Sequence, residues 1–568
     1  MKQTAAVNSI PVSPILASEM PDEGDRRVIQ KKRLIRISVI SVSVAIAVSF
    51  IARILVSLIN LVTNLAFYGS FSLAFHSPAY NHLGYWVMII PAIGGILVGI
   101  MALYGSKAIR GHGIPEAMEQ ILTNKSKIKP AITFLKPISS AIAIGTGGPF
   151  GAEGPIIATG GALGSTIGQL FKITANERKV ILAAGATAGM SAIFGTPIAA
   201  VFLAIELLLF EFSPWSILPV ALACITGAAG HHLLFESGPV FPMPDVAIPS
   251  NGALAIYSLI GVAIGFIAMG LTKIVYWIED MFEELPIHWM WWPAIGGLAV
   301  GIIGFFAPHT LGVGYDNITG VLSGTWPLTL ILTLCFFKFL SWAIALGSGT
   351  SGGTLAPLLT IGGASGAIAG TLLLQFFPDC GLSIPMAALI GMSAMFAGAS
   401  RAYLTSITFA LEATLQSHAL LPLLGACTAS YLVSFFLMEN TIMTEKIARR
   451  GVYTPDTYEA DPLQKLKVAD VMSTKKPADI IKADYHIKTT DSLRKAVELM
   501  AKTGLETLQV EEAESQQPVG TLSYKDVLKS YQYQADENER AYTNLSLKRR
   551  RLKMMILSKQ MINKGDKH

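Results

Sequence analysis

The chain has 568 residues, 52% of them hydrophobic and only 14% charged. Soluble globular proteins carry about 25% charged residues, so this composition excludes a soluble enzyme or binding module and implies a polytopic protein embedded in a lipid bilayer. The net charge of +5 is small and clusters in a few loops, which excludes nucleic acid as a partner and points to membrane-proximal basic segments.

In chain order, residues 1–33 read as a cytoplasmic tail, polar over residues 1–30 and without the apolar core of a cleavable signal peptide. Arg26, Arg27, Lys31, Lys32, Arg33 and Arg36 stand just before the first apolar run, which by the positive-inside rule places the N-terminus in the cytoplasm. Apolar runs near the length of about 20 residues needed to span a bilayer are expected at 38–66, 86–104, 180–210, 215–235, 253–277, 287–306, 326–346, 384–412 and 418–438. Cys224, Cys335, Cys380 and Cys427 lie in or beside these runs without metal-ligand spacing; they read as core residues, and no metal site is expected.

The chain repeats itself. Pro91-Ala92-Ile93-Gly94-Gly95 with Val98-Gly99 recurs 202 positions later as Pro293-Ala294-Ile295-Gly296-Gly297 with Val300-Gly301. Gly145–Gly168 recurs as Gly347–Gly370 at the same offset of 202, and the spacing from Pro197 to Glu206 recurs from Tyr403 to Glu412 at an offset of 206. Charge orients the halves, about 34–235 and 253–438. Lys107, Arg110, Lys125, Lys127 and Lys129 occupy a first-half loop whose counterpart, residues 307–331, has no Lys or Arg. Lys172, Arg178 and Lys179 likewise have no basic counterpart around Phe377–Gly381, so equivalent loops lie on opposite sides of the membrane. That is an inverted-topology repeat, whose sites tend to form near the midplane from discontinuous helices.

Beyond residue 450 the composition turns polar. Residues 451–466 read as a linker, and 467–532 as a small α/β module with a strand over Val468–Met472, a helix through Leu493–Met500, a strand over Val519–Leu522 and a helix around Asp526–Leu528. Residues 533–568 form a basic tail that includes Lys548, Arg549, Arg550, Arg551 and Lys553.

The chemistry lies in the Gly/Pro breaks. Gly111-His112-Gly113-Ile114-Pro115, Gly151-Ala152-Glu153-Gly154-Pro155 and Gly353-Thr354-Leu355-Ala356-Pro357 place proline where a first helical turn tolerates it, after a glycine that frees the backbone. Each predicts a helix N-terminus with unpaired amides and about half a positive charge, a site for a small anion. Glu153 sits in one of these ends, and an ionisable group at membrane depth costs at least a few kcal/mol unless it faces a cavity or partner. Its carboxylate can occupy the site and compete with a permeant anion, and protonation removes that competition, which couples anion to proton.

The segments GHGIPE, GAEGP, GSGTSGGTLAP and the stretch from Arg401 to Glu412 resemble the signatures of the CLC family of chloride channels and chloride/proton antiporters, a resemblance covering about residues 34–450. Residues 467–532 resemble a single CBS domain. The resemblance implies an all-α polytopic membrane domain of inverted-repeat, broken-helix type with a small cytoplasmic α/β CBS-like domain, assembled as a homodimer in which each subunit holds its own pore. It makes Glu153 the gate, the amides of Thr354 and Leu355 the central anion site, and Gly151, Ala152 and Glu153 the external one. His112 stands where the family usually has an anion-coordinating serine, Met443 where it has a tyrosine, Ala152 for a common arginine and Leu355 for a common phenylalanine. The internal proton-transfer glutamate of many antiporters falls on Leu207, beside Glu206, which leaves Glu206 or His112 as proton carriers. As repeat equivalents near helix ends, Glu206 and Glu412 fit a structural role better.

The expected function is transport of chloride or a similar small inorganic anion, as a channel or a weakly proton-coupled transporter, with a fully coupled anion/proton antiporter as the alternative. The expected setting is a prokaryotic inner membrane with both termini cytoplasmic, a bound anion, no cofactor and no catalysis. Two readings of other classes are weaker. Gly349-Thr350-Ser351-Gly352-Gly353 fits a nucleophile elbow with His418 as base, an intramembrane serine protease, but the repeat equivalent keeps the glycines and lacks the serine. The CBS-like module could bind an adenine nucleotide, but one copy supplies half of the usual cleft, and an empty structural module is the better expectation.

Overall fold

The structure, a computed structural model, describes residues 23–171, 173–235, 238–452, 454–455, 466–473, 486–512 and 517–529. The basic anchor side chains Arg26 and Arg27, Lys172, most of the linker and the basic tail lie outside the described residues. The chain divides into two compact units between residues 457 and 458.

Among the described residues of the first unit the regular elements are helices. Its first half contains α1 (Glu23–Thr63), α2 (Ile90–Tyr104), α3 (Ile114–Thr123), α4 (Ile132–Gly145), α5 (Glu153–Leu170), α6 (Ala175–Phe194), α7 (Pro197–Leu203) and α8 (Pro214–Leu234). The second half contains α9 (Asn251–Glu283), α10 (Trp292–Phe306), α11 (Tyr315–Leu322), α12 (Leu328–Gly347), α13 (Leu355–Phe376), α14 (Ile384–Ser400), α15 (Tyr403–Thr414) and α16 (Leu420–Leu437). Among the described residues, eight helical stretches are long and apolar enough to cross a membrane.

Two expected spans are corrected. Residues 180–210 are not one helix: Gly195 adopts a left-handed φ of +61° and Pro197 restarts the chain as α7, which continues as one wide turn over Ala204–Leu209. Residues 384–412 break in the same place of the repeat, at Arg401 with φ +57°, where a guanidinium bonded to the Ser434 and Met438 carbonyls holds the turn. The Gly-rich stretches 153–170 and 355–376, absent from the expected spans, are full, largely buried helices, and the second is among the eight apolar enough to cross a membrane. As expected, the Gly/Pro motifs open helices, with α3 beginning at Ile114, α5 at Glu153 and α13 at Leu355.

The halves meet about a pseudo-two-fold axis. Gly151 and Gly353 are repeat equivalents, and they bond to each other reciprocally: Gly151 N donates to Gly353 O at 3.2 Å and Gly353 N to Gly151 O at 3.0 Å, as an antiparallel bridge. Residues that pair antiparallel with their own equivalents are related by a two-fold rotation, which is the inverted arrangement that loop charge predicts. Small residues set the helix crossings. A Cβ on Gly160 would stand 2.2 Å from Gly185 O, and one on Gly391 2.3 Å from Gly362 O, so α5 on α6 and α13 on α14 pack backbone to backbone. In lipid, where apolar burial gives no drive between helices, such close approach is what holds them.

In the second unit, β1 (His486–Lys488), α17 (Leu493–Thr503), β2 (Thr507–Glu511) and β3 (Pro518–Ser523) form a three-stranded sheet of order β1-β2-β3, with β1 parallel and β3 antiparallel to β2. Residues 524–529 are helical. The expected strand over Val468–Met472 is instead a short 3-10 turn at Val468–Asp470. Its Val468 is buried with Ile487, Leu493, Leu508, Val510 and Leu522, so the apolar residues pack as expected while the backbone bonds go to Asp491 and Thr489 carbonyls rather than to a ladder.

Candidate functional site

Three broken loops converge where the halves meet. Gly111 pairs with the Ser351 region, its N–H donating to Thr350 O at 3.2 Å. The carbonyl of His112 lies against Gly154, where a Cβ would approach it to 2.2 Å, and the Gly154 carbonyl lies equally close to Gly113. Two buried lysines, equivalent by the repeat, staple the loops. Lys136 Nζ donates to Ile109 O and Gly111 O, both at 2.8 Å, and Lys338 Nζ to Thr310 O at 3.0 Å and Gly312 O at 2.8 Å. Each puts positive charge behind a loop that leads into a helix N-terminus, beside where an anion would sit. Neither lysine stood out in the sequence; a lysine inside an otherwise apolar run, repeated 202 positions on, was the available signal.

Glu153 is fully buried, and its carboxylate lies on the other half of the molecule. Oε1 accepts the Ala356 N–H at 2.6 Å, at the N-terminus of α13, and Oε2 accepts the Tyr315 hydroxyl at 3.1 Å, from the first residue of α11. The first-half acid thus occupies the second-half helix end, where the N-terminal amide of Ala356 is the donor. Tyr315 was not singled out in the sequence, because no motif marks it; only the fold brings α11 to Glu153.

Around this contact, the Thr354 hydroxyl is buried without a partner, and so is Nδ1 of His112, a residue that is 2% exposed. Orphaned buried polar atoms beside a helix N-terminus fit a bound anion or water. Leu355 opens α13 and is buried, as is Ala152 before α5. The Gly151 amide is committed to Gly353, so its part in this conformation is the inter-repeat bridge rather than a free donor. Met443 is fully buried in the apolar core, its N–H donating to Thr441 Oγ1 at 3.2 Å. Glu206 lies elsewhere: its oxygens accept the Leu404 N–H at 2.8 Å, the Thr405 N–H at 3.0 Å and the Thr405 hydroxyl at 2.6 Å, all at the start of α15. Glu412, its repeat equivalent, accepts Ile198 N at 3.0 Å and Ala199 N at 2.8 Å at the start of α7. The two carboxylates cap each other's helices. Ser351 bonds to Ser140 Oγ at 2.8 Å and Ser139 Oγ at 3.2 Å, and no histidine is among its hydrogen-bond partners. Among the described residues no cluster of three or more His, Cys, Asp and Glu is placed to hold a metal.

A cavity of about 980 Å³ opens from the basic first-half loop towards this site. Lys107, Arg110, Lys127, Lys129, Lys136, Lys446 and Arg450 line it together with the carboxylates Glu116, Glu119, Glu279 and Glu283. Arg110 lies over the rings of Trp289 and Trp292, 5.1 and 5.4 Å from their centroids, and donates to Gly349 O at 3.3 Å. Lysines and arginines outnumber carboxylates in this lining, a balance that favours anions in the recess.

Inverted halves, broken helices whose N-termini converge, and a carboxylate held among them define a membrane protein built to handle a small anion. Comparison with known proteins agrees. The family model described as "Voltage gated chloride channel" matches residues 93–435. Among curated proteins, "Chloride channel protein CLC-e" of Arabidopsis thaliana is 31% identical over 367 residues, covering 60% of this chain and 51% of that one. "Putative chloride channel protein ClcB-like" of Ralstonia nicotianae is 26% identical, covering 65% and 87%. "H(+)/Cl(-) exchange transporter ClcA" of Yersinia pestis is 28% identical, covering 60% and 72%. The chain therefore spans about half the length of the plant relative and most of the bacterial ones. Among solved structures, a slow cyanobacterial Cl-/H+ antiporter superposes with a TM-score of 0.64 at 22% identity over 72% of this chain and 98% of that chain. A eukaryotic CLC transporter gives 0.63 at 16% identity, over 87% and 98%. This chain belongs to the voltage gated chloride channel family.

Proposed function

We propose that the protein moves chloride or a similar small inorganic anion across the membrane along a path gated by the Glu153 carboxylate. The observation that carries this is the 2.6 Å bond from the Ala356 amide to Glu153 Oε1: an anionic side chain fills the helix end that would otherwise bind the permeant anion. When the carboxylate is protonated or swings away, an anion takes its place among Thr354, Leu355 and His112, with Ala152 and Met443 on the walls. Conduction needs such binding to be strong enough to replace hydration and weak enough to release. Leu207 cannot carry a proton and Glu206 is engaged in capping α15, which favours a channel or a weakly coupled transporter. Full antiport is the second reading, favoured by the exchange activity named for the Yersinia relative.

The contacts that hold Glu153 come from one chain, Ala356 and Tyr315, which suits a homodimer whose subunits each carry a complete path. The lysine-lined cavity faces the cytoplasm by the positive-inside rule, as do both termini, and the bacterial relatives suit a prokaryotic inner membrane. The second unit is an empty, structural CBS-like module. The test is purified protein in liposomes, with anion efflux and internal pH recorded together for chloride, nitrate, bicarbonate and fluoride. Glu153→Gln removes the competing charge and should flatten the pH dependence of anion flux; an unchanged pH profile in that variant would remove Glu153 as the gate.

A further inference from the structure

The cavity of about 980 Å³ is far larger than a small inorganic anion needs, since clefts of about 300–1,000 Å³ take organic molecules of drug size. Its charges are unevenly paired. Arg450 Nη1 stands 2.6 Å from Glu119 Oε2, Lys446 Nζ stands 3.8 Å from both Glu116 Oε1 and Glu279 Oε1, Arg110 is faced by Glu279 and Glu283, and Lys136 is spent on two backbone carbonyls. Lys107, Lys127 and Lys129 line the same cavity and are exposed, and among the described residues no carboxylate pairs with them. Lys107 Nζ lies over the Trp289 ring, 5.0 Å from its centroid.

The cavity also opens onto the apolar surface of the spanning helices. One stretch long enough to cross a membrane, Gly84–Tyr104, ends beside it, and another, Trp289–Phe306, begins there. Leu103 lines the cavity and is the last of an exposed stripe on α2 formed by Ile93, Leu97, Ile100 and Leu103, whose spacing of three and four keeps it on one helix face. Trp289 is the residue type that sits at headgroup depth. An exposed apolar stripe therefore leads directly into a recess that presents three unpaired lysines.

We propose that this cavity holds the headgroup of an anionic phospholipid, with its phosphate on Lys107, Lys127 and Lys129 and an acyl chain along the Ile93–Leu103 stripe. A small anion or a soluble phosphate would use the lysines and leave the stripe idle, whereas a phospholipid matches both. Basic pockets between spanning helices recognise such headgroups, and each lysine near the surface adds to the attraction. The inference does not depend on which ion the protein moves.

The experiment is native mass spectrometry of the full chain in detergent, titrated with cardiolipin or with phosphatidylcholine. Cardiolipin should bind at least about tenfold more tightly than phosphatidylcholine. Each single Lys→Gln change at 107, 127 or 129 should weaken cardiolipin about fivefold, and Lys107→Gln/Lys127→Gln/Lys129→Gln about a hundredfold. Lys31→Gln/Lys32→Gln, an exposed basic pair outside the cavity, should leave the affinity within about twofold. The single variants decide the matter if the triple variant does not fold, which its thermal midpoint without lipid reveals. The site is overturned if cardiolipin binds no more tightly than phosphatidylcholine, if the cavity variants keep the unmutated affinity, or if losing Lys31 and Lys32 weakens binding as far as they do. Displacement of cardiolipin by glycerol 3-phosphate at equal phosphate concentration would also overturn it, by showing a site for a soluble phosphate.

Discussion

Tyr315 and Ala356 grip the two oxygens of one buried carboxylate, and on the proposed reading of Glu153 as the gate the strength of that grip sets how often the path is open. A hydrogen bond to a charged group contributes about 1.5–3 kcal/mol. Tyr315→Phe deletes the bond to Oε2 and keeps the ring that packs on Phe194 and Phe241. We therefore expect anion efflux at fixed pH to rise about tenfold, as 1.4 kcal/mol implies; efflux unchanged within error would mean that the hydroxyl does not restrain the gate. The same residue marks the limit of sequence reading at this scale. Glu153 stands out because a carboxylate in an apolar, Gly-rich stretch needs an explanation, whereas a tyrosine beginning a short helix needs none.

Helix ends carry the next level of design. Glu206 caps α15 and Glu412 caps α7, so two helices from opposite halves are tied by carboxylates on each other's N-termini. Glu412→Ala should cost roughly 2 kcal/mol through loss of charge-assisted bonds to two amides. A lowered thermal midpoint in detergent checks this, and a midpoint unmoved would show the cap to be idle. At the start of α6, Thr174 and Glu177 form a reciprocal capping box, with Arg33 Nε 2.9 Å from Glu177 Oε1. Partial burial pushes the Glu177 carboxyl up, but the Arg33 and Thr174 hydrogen bonds outweigh it and hold the group below the ordinary carboxylate value. A depressed pKa stabilises the fold above the unfolded value, and that contribution disappears as pH falls through the folded one. Below about pH 4 the native protein should lose stability more steeply than Glu177→Gln, as read from thermal midpoints against pH; parallel curves would refute it. Capping motifs of the Thr174–Glu177 kind are local and legible. The Glu206 and Glu412 caps are not, because their amides come from some 200 residues away.

On the scale of the whole molecule, two units each bury their own apolar core, the second around Val468, Leu493, Leu508, Val510 and Leu522. A chain ending at residue 457 should accordingly remain folded, elute as one species in detergent and retain anion efflux; aggregation of that truncation would show that the membrane unit depends on the second. The inverted repeat was readable from a constant offset and from which loops carry lysine, since both follow from composition alone. The meeting of Gly151 with Gly353 was not, although both residues lie within the repeated stretches. The apolar run Val468–Met472 was also misread as a strand, although its residues serve a turn, because an apolar pattern does not report where backbone bonds go.

By itself, then, the amino-acid sequence determined the membrane class, the two inverted halves, the helix starts at Ile114, Glu153 and Leu355, and the oddity of Glu153, for these depend on hydropathy, proline and glycine stereochemistry and local charge. The tertiary structure alone decided that Glu153 reaches across the pseudo-two-fold to Ala356, that Tyr315 joins it, that Lys136 and Lys338 brace the loops, and that Glu206 is a cap. Those contacts join residues whose separation in the chain leaves no local trace, and they form only because small-residue helix crossings let the two halves approach backbone to backbone.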